Sequence, residues 1–221
     1  MKISPTLTEV KEIAKTGKYD ILPVSCEILS DFITPIEAMR ILQNVSTHCY
    51  LLESAQANEA WGRYTFLGYD PKLEINCIDG HMKLGKLSVE TENPSEYIRQ
   101  ILSEYKSPKF DYLPSFTGGL VGYFSYDYLG YKEKSIRGKA KDTEDFKDVD
   151  LMLFDKVIAF DNLCQKIILI ANMSLDAPET GYNKAIVELK QLRELLMHGE
   201  KKQNMGGKLL GEVTPLFEKE Q

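Results

Sequence analysis

Apolar residues recur along this chain in two rhythms. The first is helical. Val10, Ile13 and Ala14 share one face, and Thr6-Leu7-Thr8-Glu9 ahead of them has the form of a capping box, predicting a helix that ends near Gly17. Thr34-Pro35-Ile36-Glu37 is the strongest local signal. Threonine can cap, proline fits the first helical position, and glutamate three residues on can reach back to the cap amide. That helix carries Ile36, Met39, Ile41 and Leu42 and stops before Ser46. Asn93-Pro94-Ser95-Glu96 repeats the capping logic and predicts a helix through Tyr105, with Tyr97, Ile101 and Leu102 buried. Pro178-Glu179 opens a last helix to about His198, lined by Tyr182, Ile186, Leu189, Leu192 and Leu196.

The second rhythm is that of strands. Residues 20–29 read as extended, and Pro23, which has no N–H for a ladder, predicts an edge or bulged strand. Residues 71–78 and 81–89 form a predicted hairpin about Asp79-Gly80. Residues 116–131 are dense in glycine and aromatics, and read as a strand that lets another backbone come close. Residues 150–160 and 166–171 predict a hairpin around Asp161-Asn162; their nearly continuous apolar runs mark it as covered on both faces and central. Residues 132–147 are a charged loop with little to bury.

Between the second helix and the first hairpin lies residues 49–68, around which the rest is organised. An apolar run, Tyr50-Leu51-Leu52, stops on Glu53-Ser54; a polar loop follows, and Arg63-Tyr64-Thr65-Phe66-Leu67-Gly68 reads as the next strand, beside the sole tryptophan, Trp61. A carboxylate, a hydroxyl and a guanidinium thus come to neighbouring strand ends. An amino acid needs an acceptor for its ammonium, which Glu53 can supply, and donors for its carboxylate, which Ser54 and Arg63 can supply. Spacing alone favours a plainer reading of the same residues, an exposed Glu53–Arg63 cross-strand pair worth about 0.2–1 kcal/mol.

Composition removes other classes of function. With 43% hydrophobic and 27% charged residues, the 221-residue chain has the balance of a globular protein with a substantial core. A net charge of −6 argues against a surface for nucleic acid or anionic lipid, which needs a basic face; the local lysines from Lys132 to Lys141 alternate with acids and read as a solvated loop. No apolar window approaches a membrane span, and the first eighteen residues lack the apolar centre of a secretory leader. Cys26, Cys49, Cys77 and Cys164 are far apart, each in or beside an apolar run, as free thiols in a reducing, cytoplasmic setting. His48, His81 and His198 have no metal-ligand spacing, and residues 117–122 lack the Lys-Ser/Thr pair of a phosphate loop. Asp148 with Asp150 and Glu90 with Glu92 fall on polar stretches, so no self-contained active site is expected. Residues 200–211, rich in lysine and glycine, read as a linker before a short apolar segment at 213–217.

Taken together, Ile21-Leu22-Pro23-Val24, Asp31-Phe32-Ile33-Thr34-Pro35, Leu51-Leu52-Glu53-Ser54, residues 61–68 (WGRYTFLG) and residues 118–127 (GGLVGYFSYD) resemble, in order, the N-terminal region of anthranilate synthase component I, a chorismate-using enzyme of tryptophan biosynthesis. The resemblance implies an α+β fold, with antiparallel strands in two packed sheets and helices on the outside. It implies a regulatory domain over residues 1–199, followed at 200–221 by a linker and the start of a chorismate- and Mg²⁺-binding domain. It implies a lyase that makes anthranilate with a glutamine amidotransferase, component II, as partner, and no cofactor or catalytic residue in this part alone. Leu-Leu-Glu-Ser is the family's feedback site, so Leu52, Glu53 and Ser54 are expected to contact L-tryptophan, with Arg63 added by inference. The pocket here would be one half, and a chain exposing the uncovered sheet could self-associate. Aminodeoxychorismate synthase component I, and a free-standing amino-acid-binding module, are the alternatives.

Overall fold

The computed structural model describes residues 2–54, 62–133, 135, 146–203, 206–207 and 210–211. Among these residues two antiparallel sheets carry the fold, and three of four α-helices cover one face of the larger.

The larger sheet is built from β1 (Ile3–Ser4), β2 (Ile21–Leu29), β3 (Cys49–Leu52), β4 (Tyr64–Tyr69), β10 (Lys156–Asp161) and β11 (Lys166–Ser174), in the order β1-β2-β11-β10-β4-β3. The smaller contains β5 (Leu73–Ile78), β6 (His81–Leu84), β7 (Leu87–Glu90), β8 (Gly119–Phe124) and β9 (Val149–Phe154), ordered β7-β6-β5-β9-β8. The α+β class expected from the sequence is the observed one.

The helices form where local chemistry closes their ends. Thr6 and Thr34 each accept from the amide of a glutamate three residues on, Glu9 and Glu37, whose side chains return to the cap amide. The resulting α1 (Leu7–Lys15) and α2 (Pro35–Val45), with α4 (Pro178–His198), pack Val10, Ala38, Ile41, Leu42, Leu189 and Leu192 onto Leu22, Val24, Leu67, Ile158 and Leu169 of the sheet. Ile36, one of the apolar residues that α2 carries, is exposed. The opposite face of β10 and β11 presents Val157, Ala159, Ile168 and Ile170, covered by Leu113, Phe110 and Phe116 from the preceding loop. Both faces of this hairpin are buried, which explains its unbroken apolar runs.

Four expectations change. Residues 150–160 are two strands in two sheets: the chain leaves β9 at Phe154, turns at Asp155 and enters β10. Residues 81–89 are likewise two strands, β6 and β7, broken at Gly85 with φ +59°. Residues 116–131 hold a strand only over β8; Tyr126–Tyr131 is a 3₁₀ helix. In α3 (Pro94–Ser103) the buried residues are Pro94 and Ile98, Leu102 is exposed, and Asn93 makes no side-chain cap, its Oδ1 accepting from Ser95 instead.

Pro23 sits inside the sheet, opposite Asn172 of β11. The Asn172 amide donates to the Asp155 carbonyl on the far side, at 2.8 Å, so this is a pair that exchanges no bonds between β2 and β11. The missing N–H of Pro23 therefore points outward, where the two-residue β1 pairs only with Ser25 and Cys26. At that point β2 is locally an edge, and the proline is tolerated for the reason that suggested an edge strand.

Candidate functional site

β3 and β4 pair antiparallel from Cys49↔Tyr69 to Leu52↔Phe66, at one edge of the larger sheet. Tyr50 and Leu52 point to the same face. Tyr50 is buried edge-on against Phe154, with ring centroids 4.7 Å apart, and against Phe116 at 6.4 Å. Leu52 is 48% exposed, and Glu53 and Ser54, just past the strand, are exposed. Opposite them the aromatic face continues through Phe66, tilted against Tyr64 at 5.8 Å and edge-on to Phe116 at 5.6 Å. An apolar, ring-lined strand pair thus ends on exposed polar groups. Trp61 and the loop 55–61 lie outside the described residues.

Arg63 opens β4 and reaches an acid 98 positions away. Its Nε donates to Asp161 Oδ1 at 3.1 Å and its Nη2 to Oδ2 at 2.7 Å. Asp161 ends β10 with a side chain that is fully buried, and it also accepts the Cys164 amide at 3.0 Å. Burial pushes the Asp161 carboxyl up; the Arg63 fork and the Cys164 amide outweigh that and hold it below the usual carboxylate range. The same pairing holds the Arg63 guanidinium more firmly protonated. The guanidinium also lies over the Tyr64 ring, 4.9 Å from its centroid. Among the described residues, then, the ion pair of Arg63 is with Asp161 and not across the strands with Glu53.

The neighbouring turn residue completes a grip on the start of β4. The Asn162 amide donates to the Arg63 carbonyl at 2.9 Å, and its Nδ2 donates to the Gly62 carbonyl at 3.4 Å and to the buried Thr65 hydroxyl at 3.3 Å. Sequence reasoning read Asp161-Asn162 as a turn only. The available signal was an arginine opening a half-buried strand, which needs an acid; the separation along the chain hid which one.

Other candidates resolve structurally. Asp148 accepts from the Tyr131 hydroxyl at 2.7 Å and the Asp79 amide at 2.8 Å, tying the β5–β6 turn to the 3₁₀ helix, while Asp150 pairs with Lys147. Gly122 lies in β8 with φ +152°, and a Cβ there would meet the Asp150 carbonyl oxygen at 2.0 Å, so that glycine does admit a neighbouring backbone. Cys164, expected beside an apolar run, is exposed in the β10–β11 turn. Among the described residues no group of three His, Cys, Asp or Glu gathers as a metal site, and no helix is long and apolar enough to cross a membrane.

The class defined by this fold and site is an α+β domain of two antiparallel sheets with a strand-end candidate site and no metal cluster among its described residues. No protein-family profile matches the chain. It is 34% identical over 198 residues to anthranilate synthase component 1 of Acetivibrio thermocellus, covering 87% of this chain and 39% of that one. It is 36% identical over 196 residues to the component 1 of Pseudomonas aeruginosa, covering 85% and 39%. A crystal structure of anthranilate synthase component I from Streptococcus pneumoniae TIGR4 is 25% identical, with a TM-score of 0.49, covering 75% of this chain and 36% of that one. The chain belongs to the anthranilate synthase component 1 family and corresponds to its N-terminal part. It spans 39% of the length of these first two relatives.

Proposed function

We propose that this chain is the regulatory portion of an enzyme that converts chorismate, with ammonia from a glutamine amidotransferase partner, to anthranilate and pyruvate. The chorismate chemistry and its magnesium would be supplied by the remaining part of that enzyme. Leu52, Glu53, Ser54 and Arg63 form one half of a site for L-tryptophan, the pathway's end product. The observation that carries this reading is the exposed end of β3, where half-exposed Leu52 leads into Glu53-Ser54 beside a strand pair lined with rings. The indole would rest on the apolar edge, the ammonium would meet Glu53, and the carboxylate would meet the Ser54 hydroxyl and the outer edge of Arg63. Inhibition requires that tryptophan bind the inactive arrangement better than the active one; a coupling of about 1–3 kcal/mol is typical of such sites.

Calorimetry on the complete polypeptide tests the reading. Ser54→Ala should weaken L-tryptophan binding at least tenfold and relieve inhibition in parallel. Unchanged affinity and unchanged inhibition would remove the site from Glu53-Ser54.

A further inference from the structure

We infer that Asp161 is a positioning residue for effector binding: it never touches the ligand, but it aims the Arg63 guanidinium at the carboxylate of an α-amino acid. The inference rests on the reading of Glu53-Ser54 as an effector site and adds to it a residue from the distant β10–β11 turn.

A free arginine side chain samples many rotamers, and a guanidinium that must be frozen at the moment of binding costs affinity. Arg63 is already frozen. Two N–H groups on one edge of its fork are held by the two oxygens of Asp161, and its plane lies over Tyr64. Arginine carries five N–H donors; Asp161 takes one edge, and Nη2 also reaches Cys164 Sγ at 3.7 Å, which leaves the Nη1 amino group to donate. The Arg63 side chain is 36% exposed while the Asp161 carboxylate is fully covered. The arrangement is a cation with a buried anchor and one amino group left for a ligand.

The anchor is itself anchored. Asp161 closes the β10 ladder opposite Tyr64 and accepts the Cys164 amide. Asn162 holds the Gly62 and Arg63 carbonyls and Thr65. β10 lies in the middle of the sheet, covered on both faces. The direction of the guanidinium is therefore set by a central strand buried on both faces, as a preorganised binding group requires. Tyr64, Leu52 and the Asp161 partner position belong to one face of the sheet, because paired residues share a face and alternate residues return to it. The Arg63 guanidinium, which lies over the Tyr64 ring, and the half-exposed Leu52 thus belong to the same end of the β3–β4 pair.

The test compares L-tryptophan with its carboxamide, which lacks the anionic carboxylate, using the complete polypeptide. Asp161→Asn keeps the size of the side chain and one acceptor but loses the anionic fork. The expected result is at least a tenfold fall in the preference for the free acid over the carboxamide, with substrate KM and kcat in the absence of effector changed less than twofold. A loss that falls equally on both ligands, or no loss, overturns the inference, since a merely structural role cannot distinguish them. Asp161→Glu, which keeps the charge but shifts the two oxygens by a methylene, is read in the same way if Asp161→Asn does not fold. Ser54→Ala separates the two ideas. If it weakens tryptophan binding and Asp161→Asn leaves the preference intact, the inference alone fails; if Ser54→Ala changes nothing, the effector site itself is misplaced.

Discussion

The ring of Tyr50 lies across Gly68, its direct partner in the β3–β4 ladder. A Cβ at residue 68 would stand 2.2 Å from ring atom Cε1 and 2.8 Å from Cζ, far inside contact distance. Glycine there trades strand propensity for a surface on which an aromatic ring can rest. The ring cannot swing aside freely, because Phe154 meets it edge-on. Gly68→Ala should therefore overpack the site and cost about 1–3 kcal/mol. Urea unfolding followed by circular dichroism measures it. Combining the change with Tyr50→Leu should recover part of the loss, since the two residues couple directly. A single variant with an unaltered midpoint would show that the ring is free to move.

The four thiols differ enough to be counted chemically. Cys26 and Cys77 are buried at 2% and 0% exposure, and burial pushes the Cys26 thiol up to about 11. Burial also raises the thiol of half-buried Cys49. Cys164 stands exposed in its turn. At pH 8 a thiol reagent should label one cysteine per chain rapidly, and Cys26 and Cys77 only on unfolding, because the thiolate is the reactive form. Cys164→Ser should abolish the rapid phase. A rapid phase that survives that substitution would contradict the assignment of exposure.

What the sequence made legible was local, and what it hid was not. The α1 and α2 capping boxes rest on contacts three residues apart, so both were readable. Apolar runs on β10 and β11 announced their central place because both faces are covered. Asn93-Pro94-Ser95-Glu96 misled, since Asn93 spends its side chain on Ser95. The sheet change at Asp155 left almost no mark: one acid followed by a lysine, in a stretch otherwise apolar, reads as a single strand. Leu52, Glu53, Ser54 and Arg63 could be named as a group because they flank one loop. The partner of Arg63 could not, because only the fold brings Asp161 to it.

That unmarked corner has a keystone, Asn172. Its Nδ2 donates to the Thr117 carbonyl at 2.6 Å and to the Asp155 carbonyl at 3.0 Å, joining the start of β8 to the point where the chain changes sheets. Asn172→Ala should cost about 1–3 kcal/mol, for the part-buried Thr117 carbonyl left without this donor, while the Asp155 carbonyl keeps the Asn172 backbone amide. Asn172→Asp should be worse at neutral pH, because it turns acceptors toward acceptors. Thermal unfolding of both variants decides this. An aspartate variant as stable as the parent would mean that these carbonyls find other donors.

The Arg63–Asp161 pair also predicts how stability responds to acid. The folded carboxyl is held below its ordinary value, whereas in the unfolded chain it takes up its proton near about pH 3.9. A group depressed in this way adds stability that is fully present above the unfolded value. That stability drains away as pH falls through the lower folded value, because the unfolded state then binds the proton first. Hydrogen bonds to a charged group contribute about 1.5–3 kcal/mol, and the lower end applies here because a third of the Arg63 side chain is in water. The difference in unfolding free energy between the parent and Asp161→Asn should thus be constant from pH 5 to pH 8 and shrink below about pH 4. Urea titrations at a series of pH values give that difference directly. A gap that stays constant down to about pH 2.5 would mean that Asp161 is not depressed by its partner and that the fork contributes through packing alone.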